Sequence, residues 1–358
     1  MKIGIDGNEA NVEKRVGIGE YAFELLEQFK QLAGDNLQFT IYLKNKPLAD
    51  MPKESSNWKY KVFGPGKFWT QWRLPLELFL NKKPDVFFSP SHYAPRFSPV
   101  PTAISIMDLS YIHYPELFRK KDLYQLVNWT KYSARNAKLI FTISLASRND
   151  IIKVYNVPYT RVVVTYPGIK ATNYMQKDTN SFGKYVLFIG TLQPRKNIER
   201  LIEAMAKLPQ DLNLVVVGKK GWLFEEILFA PKKFGVEGRV KFLDFVKDEE
   251  MPSLYKNAVC FCLPSLYEGF GLPVLEAMKY QCPVVLSNVS SLPEAGGDAA
   301  IYVDPQSSDS IAKGIKKIID SESLRKEMIS KGLAHVKKFS WEKTARETIK
   351  ALEGIANG

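Results

Sequence analysis

Short apolar runs alternate along the first half of the chain with longer segments whose apolar residues recur at helical spacing. In Ile18–Leu32 the apolar positions fall on one helical face, and Asp122–Asn136 begins with an acidic residue that can cap a helix. The runs typical of buried strands are Lys2–Asp6, Gln38–Leu43, Val86–Phe88, Ala103–Ile106, Leu139–Thr142 and Val162–Thr165. This alternation predicts a parallel sheet covered by helices on both faces.

The second half repeats the alternation after Tyr166–Lys184, a segment rich in Pro, Gly, Asn and Asp that we interpret as an interdomain linker. The predicted strands are Tyr185–Ile189, Leu212–Val217, Val259–Cys262, Val284–Leu286 and Ile301–Val303. The predicted helices are Asn197–Lys207, Pro273–Tyr280, Asp309–Ile319, Ser323–Lys337 and Trp341–Gly354. Two doubly wound units of this kind would bind a ligand between them, at the carboxyl ends of the strands.

Length and composition agree with two domains. A chain of 358 residues, 45% of them hydrophobic, is too long for one ordinary core. Its first six residues are typical of a strand rather than a signal peptide, and no apolar run of about 18 residues predicts a transmembrane helix. Cys260, Cys262 and Cys282 lack metal-ligand spacing, so we expect small buried side chains in a reducing cytoplasm.

The net charge of +12 is distributed unevenly. Residues 1–170 contain 24 Lys and Arg against 15 Asp and Glu, whereas the remainder contains 26 against 23. A basic first half would suit nucleic acid, an anionic membrane or a phosphorylated substrate, and charge alone leaves the three open.

Two segments of the second half carry the candidate chemistry. Arg195 and Lys196 lie between a predicted strand and a predicted helix. Cations beside the free N–H groups of a helix N-terminus suit a diphosphate, although the pair alone is more typical of an exposed loop. The segment Glu268-Gly-Phe-Gly-Leu-Pro-Val-Leu-Glu276 is more specific. Its glycines allow a sharp turn and close approach of a ligand, and its proline suits the start of a helix.

We therefore expect the N–H groups just before that proline to face phosphate or sugar oxygens. Glu268 would lie on the loop before the helix, and Glu276 in its first turn. An acid near a helix N-terminus also stabilises the helix dipole, which accounts for Glu276 but not for Glu268 together with it.

In its ordered motifs the chain resembles the retaining GT-B glycosyltransferases of family 4 over nearly its whole length. These motifs are Gly17-Ile-Gly-Glu-Tyr21, Asp108-Leu-Ser-Tyr-Ile-His-Tyr-Pro115, Ser144 with Ser147 and Asp150, Gly190-Thr-Leu-Gln-Pro-Arg-Lys-Asn197, Glu268 to Glu276, and Ser291-Leu-Pro-Glu294 with Asp298-Ala-Ala300. The resemblance implies an α/β GT-B architecture, with two Rossmann-like domains facing a central cleft. We place the domains at 1–167 and 168–338, with a C-terminal helix at about 339–358 packing back on the first domain.

The resemblance also implies a nucleoside-diphosphate sugar as co-substrate and no cofactor. Arg195 and Lys196 would stabilise the departing diphosphate, Glu276 would hold the ribose, and Glu268 would hold hydroxyls of the transferred sugar. The implied donor-binding set is Gly17, Gly19, Arg195, Lys196, Glu268, Gly269, Phe270, Gly271, Leu272 and Glu276. Relatives retain the anomeric configuration and often use GDP-mannose. The chain contains no Asp-x-Asp pair, which agrees with a metal-independent site.

The acceptor side departs from the family pattern. Many members have a histidine directly before the aspartate that corresponds to Asp108, and this chain has Met107 there. His92 and His113 are the nearby candidates, and each is equally typical of a packing residue. Asp108 follows a predicted strand, so we assign it an acceptor-side catalytic role as a hypothesis.

Other protein classes explain parts of the sequence. Ten residues separate the relaxed dinucleotide fingerprint at Gly17 from Asp6, and the next strand ends in Leu43-Lys44 without an acid, which argues against an oxidoreductase. A sugar-nucleotide epimerase stays open, whereas nothing indicates the pyridoxal cofactor of a phosphorylase. A non-enzymatic binder of membrane or nucleic acid also stays open.

Cations and aromatic residues alternate in three segments, Trp58–Lys61, Lys67–Arg73 and Phe118–Lys121. Such segments suit nucleic-acid stacking or a membrane interface, or they are ordinary surface with partly buried aromatics. Relatives act on glycan or lipid-linked acceptors at the inner membrane face, so we expect a cytoplasmic protein with peripheral, salt-sensitive contact to an anionic membrane and no nucleic-acid partner.

Overall fold

The structure, a computed structural model, describes residues 1–64, 66–170 and 182–357. The chain divides into two compact units, one comprising Met1–Gly168 with Ser340–Gly358 and the other Ile169–Phe339. Most of the predicted linker at 166–184 lies outside the described residues.

A seven-stranded parallel sheet forms the centre of the first unit, in the order β3-β2-β1-β4-β5-β6-β7. Its strands are β1 (Lys2–Asp6), β2 (Gln38–Leu43), β3 (Trp58–Val62), β4 (Val86–Ser89), β5 (Thr102–Ser105), β6 (Leu139–Thr142) and β7 (Val162–Val164). Its helices are α1 (Ile18–Leu32), α2 (Leu74–Leu80), α3 (Ser110–His113), α4 (Lys120–Asn136), α5 (Leu145–Tyr155) and, from the end of the chain, α13 (Trp341–Ala356). Every residue of β4, β5 and β6 is buried, as expected for parallel strands covered on both faces.

Helix α13 folds as part of the first unit although it is the last element of the chain. Trp341 meets Tyr21 edge to face at 5.9 Å, and the Thr344 hydroxyl donates to the carbonyl oxygen of Tyr166 at 2.5 Å. Gly168 has no room for a side chain, because a Cβ there would lie 2.1 Å from the Trp341 nitrogen. The chain therefore returns to the first unit through a close backbone contact.

The second unit contains a six-stranded parallel sheet in the order β10-β9-β8-β11-β12-β13. Its strands are β8 (Lys184–Ile189), β9 (Leu212–Val217), β10 (Val240–Leu243), β11 (Cys260–Leu263), β12 (Val284–Ser287) and β13 (Ala300–Val303). Its helices are α6 (Ile198–Met205), α7 (Glu225–Lys233), α8 (Met251–Asn257), α9 (Leu272–Lys279), α10 (Leu292–Gly296), α11 (Ser308–Asp320) and α12 (Glu322–Val336). The strand order reverses between β8 and β11, and a doubly wound sheet binds its ligand at such a point.

Most predicted elements are confirmed within one to three residues at each end, and Ile18–Leu32 matches at both. The prediction missed the strands β3 and β10 and the helices α2, α3, α5, α7, α8 and α10. The capping role given to Asp122 is wrong, because α4 begins at Lys120 and Asp122 lies inside its first turn. Cys260, Cys262 and Cys282 are free and buried, and burial raises the pKa of Cys260 to about 12. Within the described residues, no helix is both long and apolar enough to cross a bilayer.

Candidate functional site

Residues that lie far apart in the sequence meet where β8 and β11 end. These strands are neighbours, with Val186 paired to Cys260. Arg195 and Lys196 lie in a short 3-10 turn after β8, and Glu268 lies in the loop after β11. Because the carboxyl ends of parallel strands share one edge, the two loops converge at the topological switch point of the second sheet.

Glu268 and the two cations form one buried ion cluster. Lys196 Nζ donates to Glu268 Oε1 at 2.6 Å, and Arg195 donates to Glu268 Oε2 at 3.3 Å. The arginine also donates to the carbonyl oxygen of Tyr267. The three charged side chains are 8% to 15% exposed. The two cations are therefore held by Glu268 before any ligand arrives, rather than lying apart from it.

The charge state of Glu268 follows from these contacts. Burial acts to raise the pKa of this carboxyl, but Lys196 and Arg195, with a hydrogen bond from Ser265, hold the pKa at about 2. The carboxylate is therefore ionised throughout the physiological range. The cluster of two cations and one anion has a net charge of +1, which favours a phosphate-bearing ligand.

Four serines support Glu268, and sequence reasoning assigned no role to any of them. The Ser265 hydroxyl donates to Glu268 Oε1 at 2.7 Å, and the hydroxyls of Ser290 and Ser291 donate to the Glu268 carbonyl oxygen at 2.7 and 2.9 Å. Ser287 donates to the Ser265 carbonyl oxygen at 2.5 Å. Ser287 is the last residue of β12, the strand beside β11, and Ser290 and Ser291 follow it. Their position at the same sheet edge is the feature by which sequence analysis could have found them.

Asn197 fixes the loop that carries the cations. It has a left-handed backbone (φ 59°), and its amide donates to the carbonyl oxygens of Pro264 and Pro305, each at 2.8 Å. The Leu266 N–H also donates to the Arg195 carbonyl oxygen at 2.9 Å. The loops after β8 and β11 are therefore joined by backbone as well as by charge.

Helix α9 begins as a ligand-binding turn would. Gly271 precedes it with φ at +100°, and of the two loop glycines it is the one at positive φ, not Gly269. A Cβ at Gly271 would lie 2.9 Å from Leu292 Cδ2. Within the described part of the chain, the N–H groups of Gly271 and Leu272 have no protein acceptor. These two donors at a helix N-terminus are available to an anion or a hydroxyl oxygen.

The side chain of Phe270, in contrast, is buried against Phe339, with ring centroids 5.5 Å apart.

Glu276 does not lie where the sequence placed it. Helix α9 starts at Leu272, so Glu276 is its fifth residue and lies beyond the first turn. Burial raises the pKa of this carboxyl, and the Tyr255 hydroxyl donates to its Oε2 at 2.8 Å. Glu276 is thus separate from the ion cluster and has its own neutral partner.

The remaining predicted residues belong to the first unit. Gly17 precedes α1 with φ at +53°. Gly19 is buried, and a Cβ at this position would lie 3.0 Å from the Glu9 carbonyl oxygen. Asp108 follows β5, and its Oδ1 accepts the Ser110 N–H at 2.8 Å. Met107 packs against the main core of this unit.

The two candidate histidines differ in environment. His113 Nε2 lies 2.9 Å from Asp150 Oδ2. His92 has a buried Nδ1 without a hydrogen-bond partner among the described residues, and burial lowers the pKa of its ring while the charge of Asp108 opposes that shift. The charge of Asp108 therefore acts on the ring of His92.

The three segments in which cations and aromatic residues alternate differ in the burial of their aromatic side chains. Trp58 is fully buried within β3, and Phe118 packs against a core cluster of the first unit. Phe68 and Trp72, in contrast, are exposed. In the described residues, no group of three or more His, Cys, Asp or Glu side chains could hold a metal ion.

A known protein family and known relatives match this sequence. The sequence model of the glycosyl transferases group 1 family matches residues 172–355. The O-antigen chain mannosyltransferase B of Escherichia coli is 36% identical over 284 residues, covering 75% of this chain and 74% of that protein.

Two solved structures resemble the fold over its whole length. HepE (Alr3699) of Anabaena, in complex with UDP-glucose, has a TM-score of 0.76 at 20% identity, covering 99% of this chain and 100% of that one. WaaG, a glycosyltransferase involved in lipopolysaccharide biosynthesis, has a TM-score of 0.69 at 16% identity and covers 100% of both chains. The predicted fold class, GT-B with two Rossmann-like domains, is confirmed.

Proposed function

The chain belongs to the glycosyl transferases group 1 family and is a hexosyltransferase, and we propose that it transfers mannose from GDP-mannose to a glycan or lipid-linked acceptor. Its similarity to an O-antigen chain mannosyltransferase supports mannose as the sugar. We propose retention of the anomeric configuration, a metal-independent site, and action in the cytoplasm at the inner membrane surface.

The observation that carries this proposal is the ion cluster of Arg195, Lys196 and Glu268 at the end of β8 and β11. A diphosphate that leaves the sugar gains negative charge, and two fixed cations stabilise that charge more in the transition state than before it. Glu268 holds the cations at the position where this charge develops, so little reorganisation accompanies the reaction. Its carboxylate can also accept hydrogen bonds from sugar hydroxyls.

The start of α9 supplies the neutral part of the donor site. The free N–H groups of Gly271 and Leu272 can bind oxygens of the phosphate or the sugar. Glu276, beside Tyr255, is assigned to the ribose hydroxyls, because a carboxylate accepts two such hydrogen bonds. In the first unit, Asp108 is assigned to the acceptor, and Gly17 and Gly19 to contact with the diphosphate.

A thermal-shift comparison of GDP-mannose, UDP-glucose and ADP-glucose tests the donor. A donor at about 100 times its dissociation constant stabilises the folded state by about 2.7 kcal/mol, and we expect GDP-mannose to give the largest shift. Arg195→Ala should remove most of the shift. A larger shift with either other donor would contradict the assignment of GDP-mannose.

Product analysis tests the reaction itself. Incubation with GDP-mannose alone should leave the sugar unchanged, whereas an epimerase would convert it. With an acceptor, NMR of the new linkage should show the α configuration of the donor. Chelation by EDTA should leave the rate unaltered, and a loss of rate would contradict metal independence.

A further inference from the structure

The helical segment 68–80 of the first unit has an exposed apolar face, and none of its residues belongs to the proposed donor site. A π-helical turn, Trp69–Arg73, continues directly into α2. The inner side chains Trp69, Leu74 and Leu78 are buried in a small core cluster. The outer face consists of Phe68, Trp72, Leu76, Phe79 and Leu80, which are 50% to 78% exposed. These five residues are called the outer face below.

A helical segment that is apolar on both sides is normally buried on both sides. Here Phe68, Trp72, Leu76 and Leu80 follow one another at steps of four residues, and Phe79 lies three residues after Leu76, so the outer positions are neighbours along one side of the segment. Isolated exposed apolar residues are ordinary, but a contiguous group on one face indicates a binding surface.

The backbone holds this face outward at a cost. Phe68 lies in the left-handed region, with φ at +58°, although it is a bulky residue. Phe97 has the same feature at φ +52° and is also highly exposed, and the preceding Arg96 N–H donates to the Thr70 carbonyl oxygen at 2.7 Å. Two strained phenylalanines in adjoining segments both expose their rings.

Cations surround the outer face. Lys67, Arg73, Lys82 and Lys83 are all exposed along the same segment. Of the two nearby acids, Glu77 is paired with Lys61, whereas Asp85 accepts the Lys2 backbone N–H at 2.6 Å and keeps its charge. The four cations therefore outnumber the unpaired acid, and the apolar face has a net positive border.

We propose that the outer face docks on an anionic lipid bilayer, with its aromatic and aliphatic side chains at the headgroup boundary. Charge complementarity selects this occupant, since four cations flank the stripe and lipid phosphates would meet them. Trp72 and Phe79 suit the interface, where aromatic rings concentrate. The segment lies on the surface and is too short to span the membrane.

The position of the face connects it to the acceptor side of the same unit. Trp69, on the inner side of the π-helical turn, donates through Nε1 to Asp6 Oδ2 at 2.9 Å, at the carboxyl end of β1. The docking surface thus begins beside the sheet edge that carries Asp108. It deepens the proposed function by indicating a lipid-linked acceptor, although the surface itself does not depend on donor chemistry.

Vesicle flotation of the full chain tests the proposal. We expect the wild-type protein to float with vesicles of phosphatidylcholine and phosphatidylglycerol at low salt, and to float much less with phosphatidylcholine alone or at high salt. Lys82→Gln with Lys83→Gln should reduce the partition coefficient about twenty-fivefold, because each cation near an anionic surface contributes about fivefold.

A matched pair of triple variants isolates the outer face. Trp72→Gln, Phe79→Gln and Leu80→Gln should reduce partitioning by about a thousandfold or more, since each large apolar side chain that is buried contributes over tenfold. The control, Tyr124→Gln with Val154→Gln and Tyr159→Gln, changes three other exposed apolar residues of the same unit and should float like wild type. All six positions are exposed, so the melting temperature should stay close to that of wild type.

Two outcomes would overturn the proposal: wild-type protein that stays at the bottom of the gradient with anionic vesicles, or a first triple variant that floats as well as the control. Concentration-dependent dimers that the first triple variant abolishes, without flotation, would assign the face to a second copy instead. The thermal shift with GDP-mannose is read separately. A shift without flotation rejects only the docking surface, and flotation without a shift rejects only the proposed donor.

Discussion

Two carboxyl groups, one at the carboxyl ends of the strands of each sheet, are nearly equally buried, but their pKa values are shifted in opposite directions. Asp6 ends β1 in the first unit and is 7% exposed, and Glu268 follows β11 in the second and is 6% exposed. Burial raises the pKa of Asp6 despite hydrogen bonds from Asn8 and Trp69. The pKa of Glu268 instead lies at about 2. Burial therefore does not set the charge behaviour of these sites.

The difference comes from the partners. Asp6 is held mainly by neutral donors, the Asn8 backbone and side chain and the Trp69 ring, with Lys44 as a weaker influence. Glu268 is held by two cations in direct contact. A sheet edge of cations suits a leaving diphosphate, whereas an edge with Asp6 and Asp108 suits the hydroxyl groups of an acceptor. After the roles that we propose for them, the edge with Arg195, Lys196 and Glu268 is called the donor edge, and the edge with Asp6 and Asp108 the acceptor edge.

Asp108→Asn tests the acceptor edge with the largest expected effect. The amide oxygen can still accept the Ser110 N–H, so the local turn is kept while the charge is removed. We expect kcat to fall by about 10²- to 10⁴-fold, the contribution of a positioned acid or base, with the GDP-mannose thermal shift unaltered. Asp108→Ala should behave similarly, with an additional loss of stability of about 1 kcal/mol from the lost turn hydrogen bond.

The matched control is Asp122→Asn, an exposed acid of the same unit that should leave the rate near that of wild type. Wild-type turnover in Asp108→Asn would remove Asp108 from the mechanism and break the assignment of this edge to the acceptor.

Glu268→Gln tests the donor edge. The substitution leaves Lys196 and Arg195 without their buried counter-ion, so we expect a loss of about 3–5 kcal/mol of stability. Transfer should fall by about 10²- to 10³-fold, because the cations lose the position that stabilises the leaving group. Glu199→Gln breaks an exposed ion pair with Lys233 in the same unit and should change neither quantity by much. Equal effects of the two substitutions would contradict a special role for the cluster.

The sequence predicted the donor edge better than the acceptor edge for a physical reason. Arg195, Lys196 and Glu268 lie in loops that directly follow two strongly apolar strands, and such strands are read with little ambiguity from their pattern. Which strands are neighbours follows from the doubly wound order, so two distant loops could be placed together. The contact between Glu268 and both cations was not predicted, because spacing does not reveal that side chains close on each other.

Other misses had specific causes. Trp58–Val62 alternates Lys with aromatic residues, so β3 resembled a basic surface segment although Trp58 is fully buried. Helix α7 contains Pro231, a residue that is untypical of helix interiors, and α2 follows a π-helical turn without a regular period. Glu276 was placed in the first turn because Pro273 suggested the helix start, but the helix starts one residue earlier, at Leu272, and Glu276 is its fifth residue. The serines of the donor edge form no recognisable sequence motif, and only the order of the strands in the sheet shows that they lie beside Glu268.

The pH dependence of stability should separate the two carboxylates by sign. The folded pKa of Glu268 lies below its ordinary value of 4.5, so its contribution is present above 4.5 and is lost as pH falls toward about 2. The shift corresponds to about 3 kcal/mol. The folded pKa of Asp6 lies above its ordinary value of 3.8, so ionisation of Asp6 lowers stability as pH rises above 3.8.

Urea unfolding over this acidic range measures both. With rising pH, the wild-type protein should gain stability relative to Glu268→Gln and lose stability relative to Asp6→Asn. Slopes of the same sign for the two variants would remove the contrast between the two edges.

Gly271→Ala should give the smallest effect and tests whether the N–H groups before α9 belong to the donor edge. Alanine disfavours the observed φ of +100°, and its Cβ would lie 2.9 Å from Leu292 Cδ2. The turn must shift, at a cost of about 1–3 kcal/mol, and the free N–H groups of Gly271 and Leu272 then lose their direction. We expect about tenfold weaker donor binding with a smaller change in kcat. Gly238→Ala, in open space and outside the positive-φ region, is the matched control in the same unit and should bind the donor normally. If Gly271→Ala loses stability but binds the donor as tightly as wild type, this turn is structural, and recognition of the diphosphate rests on the charges of Arg195, Lys196 and Glu268 instead.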